Sequence, residues 1–125
     1  MINNPYQKYQ QASVQTASGP QLLLMLYDGA IRFVRLGIEG INKRNIELAN
    51  NSLIKAQAIV HELIAGLNYD YPIAKDLLSL YEYFVHRLIQ ANIKKDVSIA
   101  EEVLNHLLEL REAWGEAVKQ PVSGL

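Results

Sequence analysis

A chain of 125 residues, 50% hydrophobic and 20% charged, is long enough to bury one sizeable core and too apolar to be disordered throughout. Twelve Lys and Arg stand against thirteen Asp and Glu, a net charge of −1, so the basic surplus of a phosphate-neutralising protein is missing and no nucleic-acid partner is expected. The absence of cysteine excludes disulfides, thiolate nucleophiles and Cys-ligated zinc.

The chain opens with Met1-Ile-Asn-Asn-Pro-Tyr6, which has neither the basic region nor the apolar region of a secretory signal. The longest apolar run, Leu22 to Tyr27, is far shorter than the roughly 20 residues of a membrane span. A cytoplasmic chain without membrane insertion is the expectation. Residues 1–17 carry Tyr6, Tyr9 and Val14 among Gln, Ser and Asn. Such a segment is too short to hold a helix alone in water. It reads either as a disordered tail or as a helical or extended strap whose tyrosines cover an apolar groove with their hydroxyls wet.

From residue 18 to 119 the apolar residues recur with helical period. A first helix is expected over Pro20 to Asn42, with Ser18 or Gly19 at its N-cap and Pro20 near the first helical position. Asn45 can cap a second, Ile46 to Asn68, with Ile46, Ala49, Leu53, Ala56, Val60, Leu63 and Leu67 inward. Pro72 opens a third, striped by Ala74, Leu77, Tyr81, Phe84, Leu88 and Ala91. Asp96 or Ser98 caps a fourth, Ser98 standing three residues before Glu101 as in a capping box. Its stripe is Ala100, Val103, Leu107, Leu110, Trp114 and Ala117. Four amphipathic helices on short connections predict an all-α, antiparallel, up-down-up-down four-helix bundle. Residues 120–125 follow as a flexible tail.

The first helix carries more apolar surface than one inward face requires. Leu23, Tyr27, Ala30, Val34, Gly37 and Ile41 make the inward stripe, and Asp28, Arg32, Arg35 and Glu39 a narrow charged strip. A second apolar series, Leu22, Met25, Gly29, Phe33, Leu36 and Gly40, lies on the flank between them. Its two glycines cost helix stability, about 1 kcal/mol each against alanine, and suit close approach by another segment. That segment is either a neighbour in the same bundle or a partner helix seated in a groove. Burying Leu22, Met25, Phe33 and Leu36 would yield roughly 6–12 kcal/mol gross. Ordering a disordered partner takes at least about 2–5 kcal/mol of that, so several such patches would be needed. Leu78, Val85, Ile89 and Asn92 on the third helix form another candidate patch.

No arrangement for chemistry emerges. Carboxylate-bridged metal bundles need Glu-x-x-His, whereas Glu82 and His86, like Glu102 and His106, are four apart and read as surface pairs. Phosphotransfer bundles resemble one another in His-x-x-Lys-Gly, and His61, His86 and His106 all lack that continuation. Gly-rich phosphate loops and Ser-His-Asp sets are absent as well. The expectation is a non-enzyme without metal or cofactor.

The stretch Tyr9-Gln10-Gln11-x-Ser13-Val14-x-Thr16-Ala17, followed by Leu22-x-x-Met25-Leu26-Tyr27-Asp28-Gly29-Ala30, resembles the start of the flagellar export chaperones for flagellin, the FliS family. Lys55-Ala56-Gln57-x-Ile59-x-x-Glu62-Leu63, Leu80-Tyr81-x-Tyr83, Leu88-x-x-Ala91-Asn92-Ile93 and Ala113-Trp114 extend the resemblance in order, from about residue 6 to 118. The loop Asn68-Tyr69-Asp70-Tyr71-Pro72 departs from it in being more aromatic and less acidic. The resemblance implies binding of the disordered C-terminal segment of flagellin, prevention of premature polymerisation, and presentation to an export gate component of the flagellar type III apparatus. It also implies an N-terminal strap, with Tyr6 and Tyr9, that occupies part of the client surface, and client contacts at Leu22, Met25 and Phe33. The alternative from the residues alone is a helical adaptor or homo-oligomeric structural bundle without a client.

Overall fold

A computed structural model describes residues 19–119, so Tyr6, Tyr9, Val14 and the tail fall outside the described residues. Four helices make up almost all of it: α1 Gly19–Asn42, α2 Ile46–Ala65, α3 Ile73–Lys94 and α4 Val97–Lys119, with no strand among the described residues. Each packs on its neighbour in sequence and α4 returns to α1, closing an all-α ring of four. Early residues of one helix meet late residues of the next, as Asp28 meets Arg111 and Asn50 meets Lys95, which is the antiparallel arrangement.

The turns at one end are tight because their residues cap well. Asn45 Oδ1 accepts from the Leu48 N–H at 3.0 Å, capping α2. Its own N–H donates to the Gly40 carbonyl at 2.8 Å, with Arg44 left-handed at φ 55°. At the α3–α4 turn Lys95 is left-handed at φ 52°, and the Asp96 N–H donates to the Ala91 carbonyl at 3.0 Å. Asp96 Oδ1 then accepts from the N–H and the hydroxyl of Ser98 at 2.9 and 2.7 Å. Of the two capping candidates Asp96 is therefore the cap, and Ser98 lies inside the first turn. Lys95 Nζ donates to Asn50 Oδ1, the Asn92 carbonyl and Asn92 Oδ1 at 2.6–2.7 Å, pinning the end of α3 to the start of α2.

At the opposite end α2 stops at Ala65, short of the expected Asn68, where the Gly66 N–H turns back to the Glu62 carbonyl at 3.1 Å. Residues 66–72 follow as an open loop. Pro72 caps α3 without a side-chain bond.

The core follows the predicted stripes and adds Leu26, Ile31, Phe33, Ile59 and Ile99 beside them. Tyr27, Val34, Leu53, Val60, Tyr81, Phe84, Leu88, Val103 and Leu107 are its largest fully buried side chains. At the margins the stripes differ from expectation, Ile46 and Ala117 being exposed where the helix ends lose their neighbours.

Two members of the flank series on α1 serve the bundle itself. A Cβ on Gly40 would stand 2.5 Å from the Ala49 backbone nitrogen and 2.9 Å from its Cα, so only glycine lets α1 and α2 close there. Phe33, expected as an accessible anchor, is only 6% exposed. Lys55 Nζ and the Arg32 guanidinium lie 5.4 and 5.9 Å from its ring centre, within cation–π range. The reason is geometric: a helix in a four-membered ring touches two neighbours, and α2 takes the flank beside the inward stripe.

Polar seams finish the exterior. Tyr83 donates its hydroxyl proton to Glu102 Oε2 at 2.5 Å, and Arg87 Nε donates to Oε1 at 2.8 Å, joining α3 to α4. Arg111 pairs with Asp28 at 2.7 Å, joining α4 to α1. The Tyr83 hydroxyl, and after it Arg87, holds the Glu102 carboxyl below the usual carboxylate range.

Two outcomes follow for stability. Gly40→Ala would ordinarily gain about 1 kcal/mol of helix propensity, but here its methyl meets backbone. It should lower the urea midpoint, with overpacking of about 1–3 kcal/mol exceeding the gain; an unchanged or raised midpoint contradicts the close approach. The depressed Glu102 contributes stability above the ordinary glutamate range, near about 4.3, and loses it as pH falls through the lowered value. The thermal midpoint of the wild type should therefore exceed that of Glu102→Gln at pH 7 and converge with it in strong acid. A constant gap at every pH would refute the linkage.

Candidate docking groove

The open end of the bundle holds an apolar groove of about 440 Å³. All four helices and one loop build it. From α1 come Gly19, Leu22, Leu23 and Leu26, spaced i, i+3, i+4 and i+7 so that the first two turns present one face. From the end of α2 come Glu62 and Leu63, and from the start of α3 Ile73, Ala74, Leu77 and Tyr81. Trp114 of α4 completes the wall.

The loop shapes the rim. Asn68 Oδ1 accepts from the Asp70 N–H at 2.9 Å, the Asn68 carbonyl from Tyr71 N–H at 3.2 Å, and the Tyr71 carbonyl from Ala74 N–H at 3.1 Å. This succession of turns delivers Tyr71 and Ile73 to the groove while leaving them 63% and 53% exposed. Large side chains half in water around an apolar hollow mark a surface suited to another segment.

The groove meets one polar cluster. Trp114 Nε1–H donates to the Tyr27 hydroxyl at 3.2 Å, and the Tyr27 and Tyr81 hydroxyls share a hydrogen bond at 2.6 Å. The tyrosine rings meet edge to face with centroids 6.4 Å apart. Burial, above all, pushes both phenols above their ordinary value, Tyr27 strongly so.

Farther along α1 a shallower depression of about 450 Å³ runs between α1 and α2, lined by Arg32, Phe33, Leu36, Leu48 and Lys55 among others. A third, on the charged side of α1, shares Arg32 and Leu36 with it. No group of three or more His, Asp or Glu able to hold a metal ion occurs among the described residues. None of the described helices is long and apolar enough to cross a membrane.

Comparison with known proteins bears on what this surface is for. The family model described as flagellar protein FliS matches residues 2–121. The flagellar secretion chaperone FliS of Bacillus subtilis is 42% identical over 118 residues, 94% of this chain and 89% of that protein. The chain belongs to the FliS family. The flagellar secretion chaperones FliS of Escherichia coli and Salmonella typhimurium are similar at 32% and 35% identity, over 89% and 83% of this chain and 84% and 79% of theirs. Membership supports a chaperone role in flagellar export for this bundle, and the fold is the four-helix bundle that the helical spacing predicted.

Against this FliS-family background the sequence-predicted contact residues separate. Leu22 lines the groove, Leu36 lines both side depressions, and Phe33 lines the α1–α2 depression from a buried position. Met25 and Gly29 are half-buried and outside the described hollows. On α3, Leu78 and Val85 are half-buried and Ile89 is exposed, while the Asn92 side-chain oxygen is taken by Lys95. Ile93, one turn beyond Ile89, is the most exposed large apolar side chain of the described residues at 77%. Sequence reasoning left Leu23, Leu77, Tyr81 and Trp114 inside the core stripes and did not single out Tyr71 or Ile73. The available signal was positional: core-stripe residues within a turn or two of a helix end, beside a long aromatic loop, form a wall on one side only.

Proposed function

We propose that this chain is a cytoplasmic export chaperone for flagellin. It binds the disordered C-terminal segment of flagellin, keeps it from polymerising before export, and presents it to an export gate component of the flagellar type III apparatus. The observation that carries the reading is the apolar groove with its exposed Tyr71 and Ile73, in a chain of the FliS family. A secretion chaperone must offer an unfolded segment an apolar surface that its own fold leaves open, and this one does so at the end where α1 begins.

The division of labour is a strap over residues 1–17, the bundle over 18–119 and a tail over 120–125. Gly19, the first described residue, lines the groove, which supports a strap whose Tyr6, Tyr9 and Val14 compete with a client there. The ordering entropy of the client is offset by apolar burial, at about 1.5–3 kcal/mol per large side chain. No chemical step is needed, and the chain acts as a binding protein.

Calorimetry with a flagellin C-terminal peptide tests this. Binding should show a negative heat-capacity change and little loss of affinity between low and moderate salt, as expected for apolar burial by a near-neutral protein. Ile73→Asp puts a carboxylate in the first turn of α3, where the helix dipole tolerates it, and in the groove, where it is unwelcome. It should keep the helical circular dichroism and weaken the peptide about tenfold or more. No binding by the wild type would refute the reading, and equal binding by both proteins would remove the groove from it.

A further inference from the structure

The two depressions on the flank of α1 share Arg32 and Leu36, so they adjoin and make one trough over the outer side of α1 and its seam with α2. It has no residue in common with the groove at the open end. Its floor is apolar, with Phe33 buried and Leu36 and Leu48 half-buried. Its banks are cationic. Arg32 and Arg35 stand exposed on one turn of α1 and Lys55 stands exposed on α2. Arg32 and Lys55 both lie within cation–π range of the Phe33 ring, which holds two positive charges beside the floor.

The carboxylates along the trough do not cancel this charge. Asp28 is held by Arg111 at 2.7 Å and Glu39 by Lys43 at 2.6 Å, and each partner brings a cation of its own. With those partners, five cations stand against three carboxylates, Glu47 being the third, in a chain whose net charge is −1. Arg35 and Lys55 pair with no carboxylate among the described residues. The chain's own ends do not match the charge either: residues 1–18 bring Lys8, and neither they nor 120–125 contain Asp or Glu.

We propose that this trough is a second binding surface, which takes an acidic amphipathic helix of another protein. Apolar side chains on one face of such a helix cover Phe33, Leu36 and Leu48, as in helix-in-groove recognition. Its flanking carboxylates meet Arg32 and Arg35 on one bank and Lys55 on the other, and this charge match sets specificity and approach rate. A nucleic acid is a poorer match, because its phosphates gain nothing from a leucine floor and are repelled by Glu39 and Glu47. Since trough and groove share no wall, the trough is open whatever fills the groove. One bundle can then hold a segment at its open end and be recognised along its flank at the same time.

The probe is a labelled synthetic helix with leucines on one face and glutamates beside them, titrated into the full chain by fluorescence anisotropy. It should bind, and its affinity should fall steeply from low to moderate salt, unlike binding in the groove. The same peptide with glutamine for glutamate, a polyglutamate chain and a single-stranded oligonucleotide should each bind at least about tenfold more weakly. Arg32→Gln combined with Lys55→Gln should weaken the probe about 5- to 30-fold. Lys75→Gln combined with Lys119→Gln removes the same charge from exposed sites elsewhere and should stay within about twofold. Amide NMR of the wild type, which needs no variant to fold, should show shifts over residues 32–36 and 48–55 and not over 19–26. No binding of the probe, equal binding by any of the three controls, equal losses in both double variants, or shifts centred on the groove would overturn the proposal. So would sedimentation showing a wild-type dimer that Arg32→Gln with Lys55→Gln abolishes, since the occupant would then be a second copy of the chain.

Discussion

The hydroxyl of Tyr27 lies where α1, α3 and α4 meet, accepting from Trp114 and sharing a proton with Tyr81 across the diagonal of the bundle. In so dry a place the three polar groups can be accommodated only together, since orphaning any one costs about 1–3 kcal/mol. The cluster therefore fixes the relative height and rotation of three helices. Toward the tight turns the interior is closed and dry, with Val34, Leu53, Leu88, Val103 and Leu107 fully buried. Toward the loop 66–72 the same helices stand apart around a groove. One small polar knot separates the closed part of the core from the end that opens into the groove.

The two ends of the bundle differ because their connections differ. Residues 43–45 and 95–96 turn in a few residues, each with a left-handed residue and a side-chain cap, and bring the ends of the helices they join together. The other end has the longer loop and is where the described chain begins and ends. Along α1 the same contrast recurs. Its later half spends its flank on α2, through Phe33 and the close approach at Gly40, and its earlier half turns Leu22, Leu23 and Leu26 to the groove. This FliS-family bundle thus keeps helix packing and groove wall on one helix but in different turns.

Much of this was legible from residue order. Heptad spacing identified the inward faces of all four helices, Asn45 announced the start of α2, and family motifs running nearly the length of the chain pointed to a flagellar chaperone. What sequence could not supply was the identity of each neighbour. Phe33 and Leu22 belong to one periodic series, yet one meets α2 and the other meets an open groove, because helix pairing rather than periodicity decides which flank is used. Asp96 and Ser98 were equivalent as caps until the left-handed Lys95 set the start of α4. Tyr81 and Trp114 read as plain core because a stripe carries no record of where the core ends. Tyr71 sits in a loop and Ile73 is the first residue of α3, where no period exists yet to read.

The central claim is that a client segment enters the groove at the open end of the bundle. Trp114 is the only tryptophan of the chain and forms part of that groove, so its fluorescence reports occupancy without a label. Titration with a tryptophan-free flagellin C-terminal peptide should shift the emission to shorter wavelength and saturate with the calorimetric affinity. Binding by calorimetry with emission unchanged in wavelength and intensity would place the client elsewhere on the bundle and contradict the account.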